Sequence, residues 1–366
     1  MHNRDDLVLI DARNFSQGMY ISSGIYVTLQ GNLVLLCINC DLTKELADKI
    51  TDFELEGADL YVNIEFYNTL AKQKNFVPAT RKKTQLESNY EDILADFGKS
   101  LERVKHSNII DKATTQKVVK SVDQTIKNSD ASLILQCVSA IRDNNKYLYH
   151  HSVNVSILNG LMAKWLKLPQ DDLEDLVNIG LLHDLGKLQI PSEILDKPEK
   201  LTPDEFELIK KHPLISWEIL KNSGIHNERI TTAVRGHHEK LNGSGYPDGL
   251  RMDDISFFSK ITAISDIYDA MVATRSYKTA LSPFEVLAQF SNEKFTHLDN
   301  RLVNIFVENM VQELVGKRVF LSSCELAVVQ YIDRNDMAYP IVRIGDITMK
   351  TNDNIKCLSL YDNFIQ

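Results

Sequence analysis

Five short stretches near the middle of the chain hold residues able to bind metal or move protons. They are His150-His151, Gly180–Lys187 (GLLHDLGK), Lys210–Pro213 (KKHP), Arg235–Lys240 (RGHHEK) and Ile264–Met271 (ISDIYDAM). Seven of the ten histidines in the 366 residues fall between positions 150 and 238. Imidazole is the commonest protein ligand for transition metals. His183 and Asp184 place an imidazole beside a carboxylate, which can hold one ion or bridge two. An isolated His-Asp pair reads more simply as a polar helix end, with Gly186 closing the helix. The surrounding histidines favour a metal centre instead.

Asp266 strengthens that reading. It sits among Ile261, Ile264, Ile267 and Met271, whose spacing marks a buried helix face. An ionised carboxylate near such a face is costly unless it is paired or metal-bound. Its alternative is the solvent side of a half-buried helix. The stretch after the second histidine pair, HHEKLNGSGYPDGL at 237–250, packs Gly243, Gly245, Pro247 and Gly249 into seven positions. Such a loop is tight and lets backbone approach a ligand closely.

These residues need rigid elements beneath them, and residues 132–314 read as almost wholly helical. Val153, Ile157, Leu158, Leu161 and Trp165 form one apolar face, and Leu173, Leu176, Val177, Leu181 and Leu182 form the next. Thr202-Pro203-Asp204-Glu205 and Ser282-Pro283-Phe284-Glu285 are helix starts of the capping-box type. Before this region, Tyr90, Leu94, Phe97, Leu101 and Val104 make a short helical seam at 86–131. It reads as a helical linker packing onto the next domain. Residues 1–85 read as a small α/β module, with strands at Leu7–Ile10, Ile25–Leu29, Leu33–Ile38 and Tyr61–Ile64 and a helix over Thr43–Leu55. Residues 315–366 switch to period two and read as a small β module. The fold class is therefore multidomain: an all-α domain between two small flanking modules.

The bulk numbers exclude some functions. A net charge of −9 argues against duplex nucleic acid as partner, because phosphate neutralisation needs a basic face. The longest apolar run, Leu33–Ile38, is too short to span a bilayer. The start, MHNRDDLVLI, lacks the apolar core of a secretory signal. Five scattered cysteines fit a reducing compartment, so a cytoplasmic location is expected. Cys37 and Cys40 read as core residues of a strand rather than half a zinc site.

Taken in order, His151-Ser152, GLLHDLGK, KLTPDEFELIKKHP, HHEKLNGSGYPDGL, ISDIYDAM and RSYKTALSP resemble the HD-GYP family of the HD phosphohydrolase superfamily. The resemblance implies a helical HD-type domain that hydrolyses cyclic dinucleotides, chiefly cyclic di-GMP, with pGpG or GMP as the expected product. It assigns one metal to His151, His183 and Asp266, a second to His212, His237 and His238, and the bridge to Asp184. Some members carry a Glu four residues before the first ligand histidine and bind three metals. Tyr147 stands there, so two are expected. Iron or manganese suits this mixed set, and zinc also fits. His150 is then expected at the surface.

Two such ions, roughly 3.5–4 Å apart, activate a bridging water and neutralise phosphoryl charge. Asp184 and Lys187 are the expected catalytic pair. Lys187, Arg275 and Lys278 are expected on substrate phosphates, and Tyr246 and Tyr277 either stack on guanine or simply pack. The loop Gly245-Tyr246-Pro247 is an expected contact for a diguanylate cyclase (GGDEF) partner, and a dimer is compatible. Two alternatives stay open: hydrolysis of another cyclic dinucleotide such as cyclic GMP-AMP, and a non-hydrolysing receptor or interaction module.

Overall fold

The computed structural model describes residues 7–22, 24–29, 32–55, 58–63, 66–67, 70, 72, 85–129, 131, 134–135, 147–195, 197, 199–272, 281–291, 295–323, 326–344 and 346–361. The chain is mostly helical, with small antiparallel sheets towards its two ends.

The first sheet joins β1 (Leu7–Ile10), β3 (Ile25–Leu29), β4 (Asn32–Cys37) and β6 (Leu60–Asn63) in the order β1-β6-β3-β4. Two-residue strands β2 (Tyr20–Ile21) and β5 (Cys40–Asp41) pair beside it. Helix α1 (Lys44–Leu55) drives Ile50 and Phe53 into a small core shared with Ile25, Val27, Leu60 and Val62. Cys37 is buried in that core and Cys40 packs against it, in keeping with their reading as core residues.

A second, larger core begins with α2 (Gln85–Ser107) and α3 (Lys112–Asn128). Asp111 caps α3 by accepting from Ala113 N–H. The seam residues Tyr90, Phe97, Leu101 and Val104 are buried in the same cluster as Val153, Leu158 and Leu161. These last three lie on α4 (Tyr147–Trp165), whose residues from His150 to Ala163 are buried on every side. A helix apolar or small all round belongs in a core. His150 is therefore not at the surface, as its sequence position suggested. It is 7% exposed, and its ring stacks on Tyr90 at 6.2 Å.

Helix α5 (Gln170–Leu182) crosses α4 in backbone contact. A Cβ on Gly180 would stand 2.3 Å from Ser156 Cα, so only glycine permits the crossing. Asn159 of α4 donates to the Leu176 carbonyl and to Thr262 Oγ1, tying the crossing to a third helix. A 3-10 turn (Leu185–Gln189) and one helical turn, α6 (Ser192–Leu195), follow. Then come α7 (Pro203–Ile209), α8 (His212–Asn222), α9 (Glu228–Gly236), α10 (Phe257–Val272), α11 (Pro283–Ser291) and α12 (Asn300–Leu314). Thr202 and Glu205 form a full capping box on α7. Ser282 and Glu285 exchange the equivalent pair of bonds at α11.

The second sheet comprises β7 (Arg318–Leu321), β8 (Leu326–Tyr331), β9 (Ile341–Ile344), β10 (Ile347–Lys350) and β11 (Cys357–Tyr361), in the order β10-β9-β8-β7-β11. Its inward residues Val319, Leu321, Val329 and Val342 join the large helical core rather than forming one of their own.

Candidate metal centre

Five elements meet at one point. Helix α4 brings His151, the end of α5 brings His183 and Asp184, α8 opens with His212, α9 ends at His237-His238, and the middle of α10 brings Asp266. The ligand atoms fall into two groups, each within 4.8 Å: His151, His183 and Asp266 in one, and Asp184, His212, His237 and His238 in the other.

Asp184 lies between them. Its Oδ2 is 3.4 Å from the Nε2 atoms of both His151 and His183. Its Oδ1 is 3.2 Å from His212 Nε2 and 3.8 Å from His237 Nε2. Oδ1 is fully buried yet makes no hydrogen bond among the described residues. A buried carboxylate oxygen without a donor costs free energy unless something positive meets it.

The histidines face the same way for a common reason. Nδ1 of His183, His212 and His237 contacts the carbonyl three residues earlier, of Gly180, Ile209 and Val234, at 2.7–2.8 Å. His151 Nδ1 meets Asp269 Oδ2 at 2.7 Å. A carbonyl or carboxylate only accepts, so in each ring Nδ1 carries the proton and Nε2 presents a lone pair. Those lone pairs converge: His151 Nε2 is 3.3 Å from His183 Nε2, and His212 Nε2 is 3.3 Å from His237 Nε2. Ligand atoms each about 2.1 Å from one ion stand about 3 Å apart. The residues present therefore fit metal ions, since a cation relieves both the facing lone pairs and the undonated Asp184 oxygen.

Protonation agrees with this fit. Burial pushes the Asp184 carboxyl up, but the neighbouring His183 and Lys187 and the contacts from His151 hold it well below the ordinary carboxylate range. Asp266 is likewise held down against its burial, chiefly by His151. Burial lowers His212 and His237, and takes His238 from 6.5 down to about 3. Charged carboxylates and neutral imidazoles are the forms that bind metal.

Lys187 Nζ stands 2.5 Å from Asp184 Oδ2, so the three-residue spacing does bring the two together. Gly186 does not act as a helix cap. The helix ends at Leu182, and Gly186 lies in the 3-10 turn, where its amide donates to Ser216 Oγ. Ser216 in turn donates to the His183 carbonyl. A Cβ on Gly186 would stand 2.1 Å from the His212 carbonyl oxygen, so its hydrogen is what lets the two groups of ligands close.

The loop after the histidine pair is seated on the cluster. The Tyr246 ring lies 4.7 Å from that of His238, and Gly245 packs on the Glu239 and Lys240 backbone. Pro247 follows Tyr246 through a cis peptide bond. Arg275, Tyr277 and Lys278 lie outside the described residues. Two site residues escaped the sequence reading. Asp269, three positions after Asp266, orients His151. Glu239, beside His238, accepts the backbone N–H groups of Asp248, Gly249 and Leu250 and so holds the loop shut. The Glu239 signal lay in the motif itself, as an acid inside a glycine-rich turn.

A family model described as an HD domain matches residues 136–302. A cyclic di-GMP phosphodiesterase of Pseudomonas aeruginosa is 29% identical over 72% of this chain and 61% of its own length. The cyclic di-GMP phosphodiesterase response regulator RpfG of Xanthomonas campestris is 37% identical over 43% of this chain and 42% of its own. A 3'3'-cGAMP-specific phosphodiesterase of Vibrio cholerae is 31% identical over 50% and 35%. The chain thus spans less than two thirds of the length of these relatives. A solved HDG"Y"P protein from Bdellovibrio bacteriovorus shares the fold, with a TM-score of 0.50 at 17% identity over 83% of this chain and 99% of that one. Among the described residues no helix is long and apolar enough to cross a membrane. Residues 136–302 thus match an HD domain, and the HD pair, the paired histidines and the GYP loop gathered around one cluster are similar to those of the HD-GYP family.

Proposed function

We propose that this protein is a metal-dependent phosphodiesterase that hydrolyses cyclic di-GMP, with pGpG or GMP as the product. The observation that carries the reading is the divided Asp184 carboxylate, with one oxygen turned to each group of ligands. The names of its relatives supply the substrate class. In this reading His151, His183 and Asp266 would hold one divalent ion, His212, His237 and His238 a second, and Asp184 would serve both. The donor set of imidazoles and carboxylates favours iron or manganese, with zinc as a further candidate. When bound, two such ions supply an activated water and neutralise phosphoryl charge.

The chain's own residues do the rest. Lys187, with 18% of its side chain exposed, and His238, at 23%, form the edge of the cluster open to solvent. Substrate would enter there. The Lys187 ammonium would bind a phosphoryl oxygen and give a proton to the departing ribose oxygen. Arg275 and Lys278 would hold the second phosphate, and Tyr246 would offer its ring to a guanine. We assign residues 132–314 to this catalytic HD-type domain, 1–85 to an accessory α/β module, 86–131 to a helical linker and 315–366 to a β module. The GYP loop would meet a GGDEF cyclase domain, the protein would act in the cytoplasm, and a dimer is compatible with the reading.

The test is anaerobic purification with metal analysis, followed by a panel of cyclic dinucleotides. Loaded protein should cleave cyclic di-GMP, and Asp184→Ala should abolish cleavage. Absence of turnover with iron, manganese and zinc alike would refute hydrolysis, and faster turnover of cyclic GMP-AMP would reassign the substrate.

A further inference from the structure

His151 differs from His183, His212 and His237, whose Nδ1 atoms rest on a carbonyl of the preceding helical turn, which the local backbone supplies. His151 rests on Asp269, a carboxylate 118 residues away on α10. Something must hold that carboxylate in place, and the structure shows part of it. Asp269 Oδ1 accepts from Asn154 Nδ2 at 2.9 Å, and Asn154 Oδ1 accepts from the Tyr90 hydroxyl at 2.5 Å. Tyr90, Asn154 and Asp269 are each 1% exposed. Tyr90 belongs to α2, outside the 136–302 segment that matches the HD domain model.

The direction of every bond in this chain is set by its chemistry. A carboxylate only accepts. Asp269 therefore requires a proton on His151 Nδ1, which leaves the Nε2 lone pair facing Asp266 Oδ1 at 3.1 Å and His183 Nε2 at 3.3 Å. It also requires Asn154 to turn its NH2 group inward. The Asn154 oxygen then faces Tyr90, whose hydroxyl must donate. An inverted Asn154 amide would set oxygen against oxygen at Asp269. Tyr90 thus completes the arrangement in which His151 is a ligand.

We propose that Tyr90, Asn154 and Asp269 are positioning residues that fix the tautomer and seat of His151, so that metal held by His151, His183 and Asp266 depends on the docking of α2. This rests on the metal-centre reading above. It makes the two halves of the centre unequal. Among the described residues no such chain ends on the ring of His212, His237 or His238; α2 meets that side through its Val104 carbonyl, which accepts from Gln189 Nε2 of the 3-10 turn at 3.4 Å, so a displacement of α2 would loosen the first ion more than the second.

The experiment uses the full chain, stripped with chelator and titrated with manganous ion, in wild type, Tyr90→Phe, Asp269→Asn and Phe97→Leu. Phe97 is buried on the same helix but outside the chain of bonds. Alongside, histidine 15N spectra of the metal-free proteins read the His151 tautomer. Wild type should take up two equivalents. Tyr90→Phe and Asp269→Asn should weaken one of them by about 10- to 100-fold and leave the other unchanged. Phe97→Leu should melt lower yet bind both as wild type does. In wild type His151 should be protonated at Nδ1, and Asp269→Asn should lose that preference. Equal weakening of both equivalents, no weakening, or the same selective loss in Phe97→Leu would overturn the proposal. If wild type binds no metal, the metal-centre reading fails. The tautomer then decides the positioning chain by itself: a His151 signal unchanged in Asp269→Asn overturns it, and a changed one supports it.

Discussion

Gly186→Ala is the sharpest single perturbation of the centre. The added carbon would stand 2.1 Å from the His212 carbonyl oxygen, 2.9 Å from its carbon and 2.9 Å from Ile215 Cβ. Carbon and oxygen settle at about 3.3 Å or more when not bonded, so the 3-10 turn and the start of α8 must part by about 1 Å. Neither obstacle at His212 is a side chain that can rotate away. Overpacking of this kind costs about 3 kcal/mol, the upper end of its usual range. For a domain of this size that lowers Tm by roughly 6–12 °C. The displacement falls between the two groups of ligands, because His183 and Asp184 precede the turn and His212 opens α8. A misplacement of about 1 Å costs on the order of 100-fold in rate. The assay is thermal melting with metal analysis and turnover of cyclic di-GMP, with Gly98→Ala as control. A Cβ there meets only the Tyr149 ring at 3.4 Å, within a helix, so that variant should melt no lower than wild type. A Gly186→Ala protein that melts with wild type and keeps its full metal content would refute the close-approach argument.

Other outcomes follow from the same geometry. Glu239→Gln keeps an acceptor for Asp248 and Gly249 N–H but turns an amide donor towards Leu250 N–H. It should cost about 2 kcal/mol and raise KM more than it lowers kcat, as steady-state kinetics would show. In metal-free protein the depressed His212, His237 and His238 favour folding above their unfolded value of 6.5. The unfolded chain binds more protons below that value, so Tm should fall as pH drops from 7 towards 4. A flat profile would contradict neutral, buried imidazoles. Restoring metal to the stripped protein at about 100 times Kd should add about 2.7 kcal/mol of stability for each ion bound, read as a rise in Tm that chelator reverses.

The residues gathered at the cluster were legible because their types are rare in apolar helices and their spacing is fixed by the motifs. What supports them was less visible. Asp269 follows Asp266 by three residues, and an acid at that step reads as the polar edge of a helix, whereas α10 is buried on that side too. Tyr90 looked like one apolar seam residue among five, since nothing in a sequence marks a hydroxyl that meets an amide 64 residues away. His150 was misplaced for a related reason. Helix α4 has no solvent face through that stretch, so a polar neighbour of a ligand is enclosed along with it. The strands near Leu7, Ile25 and Leu33 were legible as β-rich runs, whereas β2, β5, β10 and β11 were not, and the sharing of one core by the last sheet and the helices depends on packing that no local pattern encodes.

That shared core bears on what can be cut from the protein. The stretch that defines the family, 136–302, is not the stretch that closes on itself. Trimming to it would strip Tyr90, Phe97, Leu101, Val118 and Val122 from one side of the helices and Val319, Leu321, Val329 and Val342 from the other. The cooperative folding unit is therefore wider than the family boundary and runs from about residue 85 to the last strand. Residues before it have a hydrophobic cluster of their own, so exchanging them for another module should leave the helical core folded.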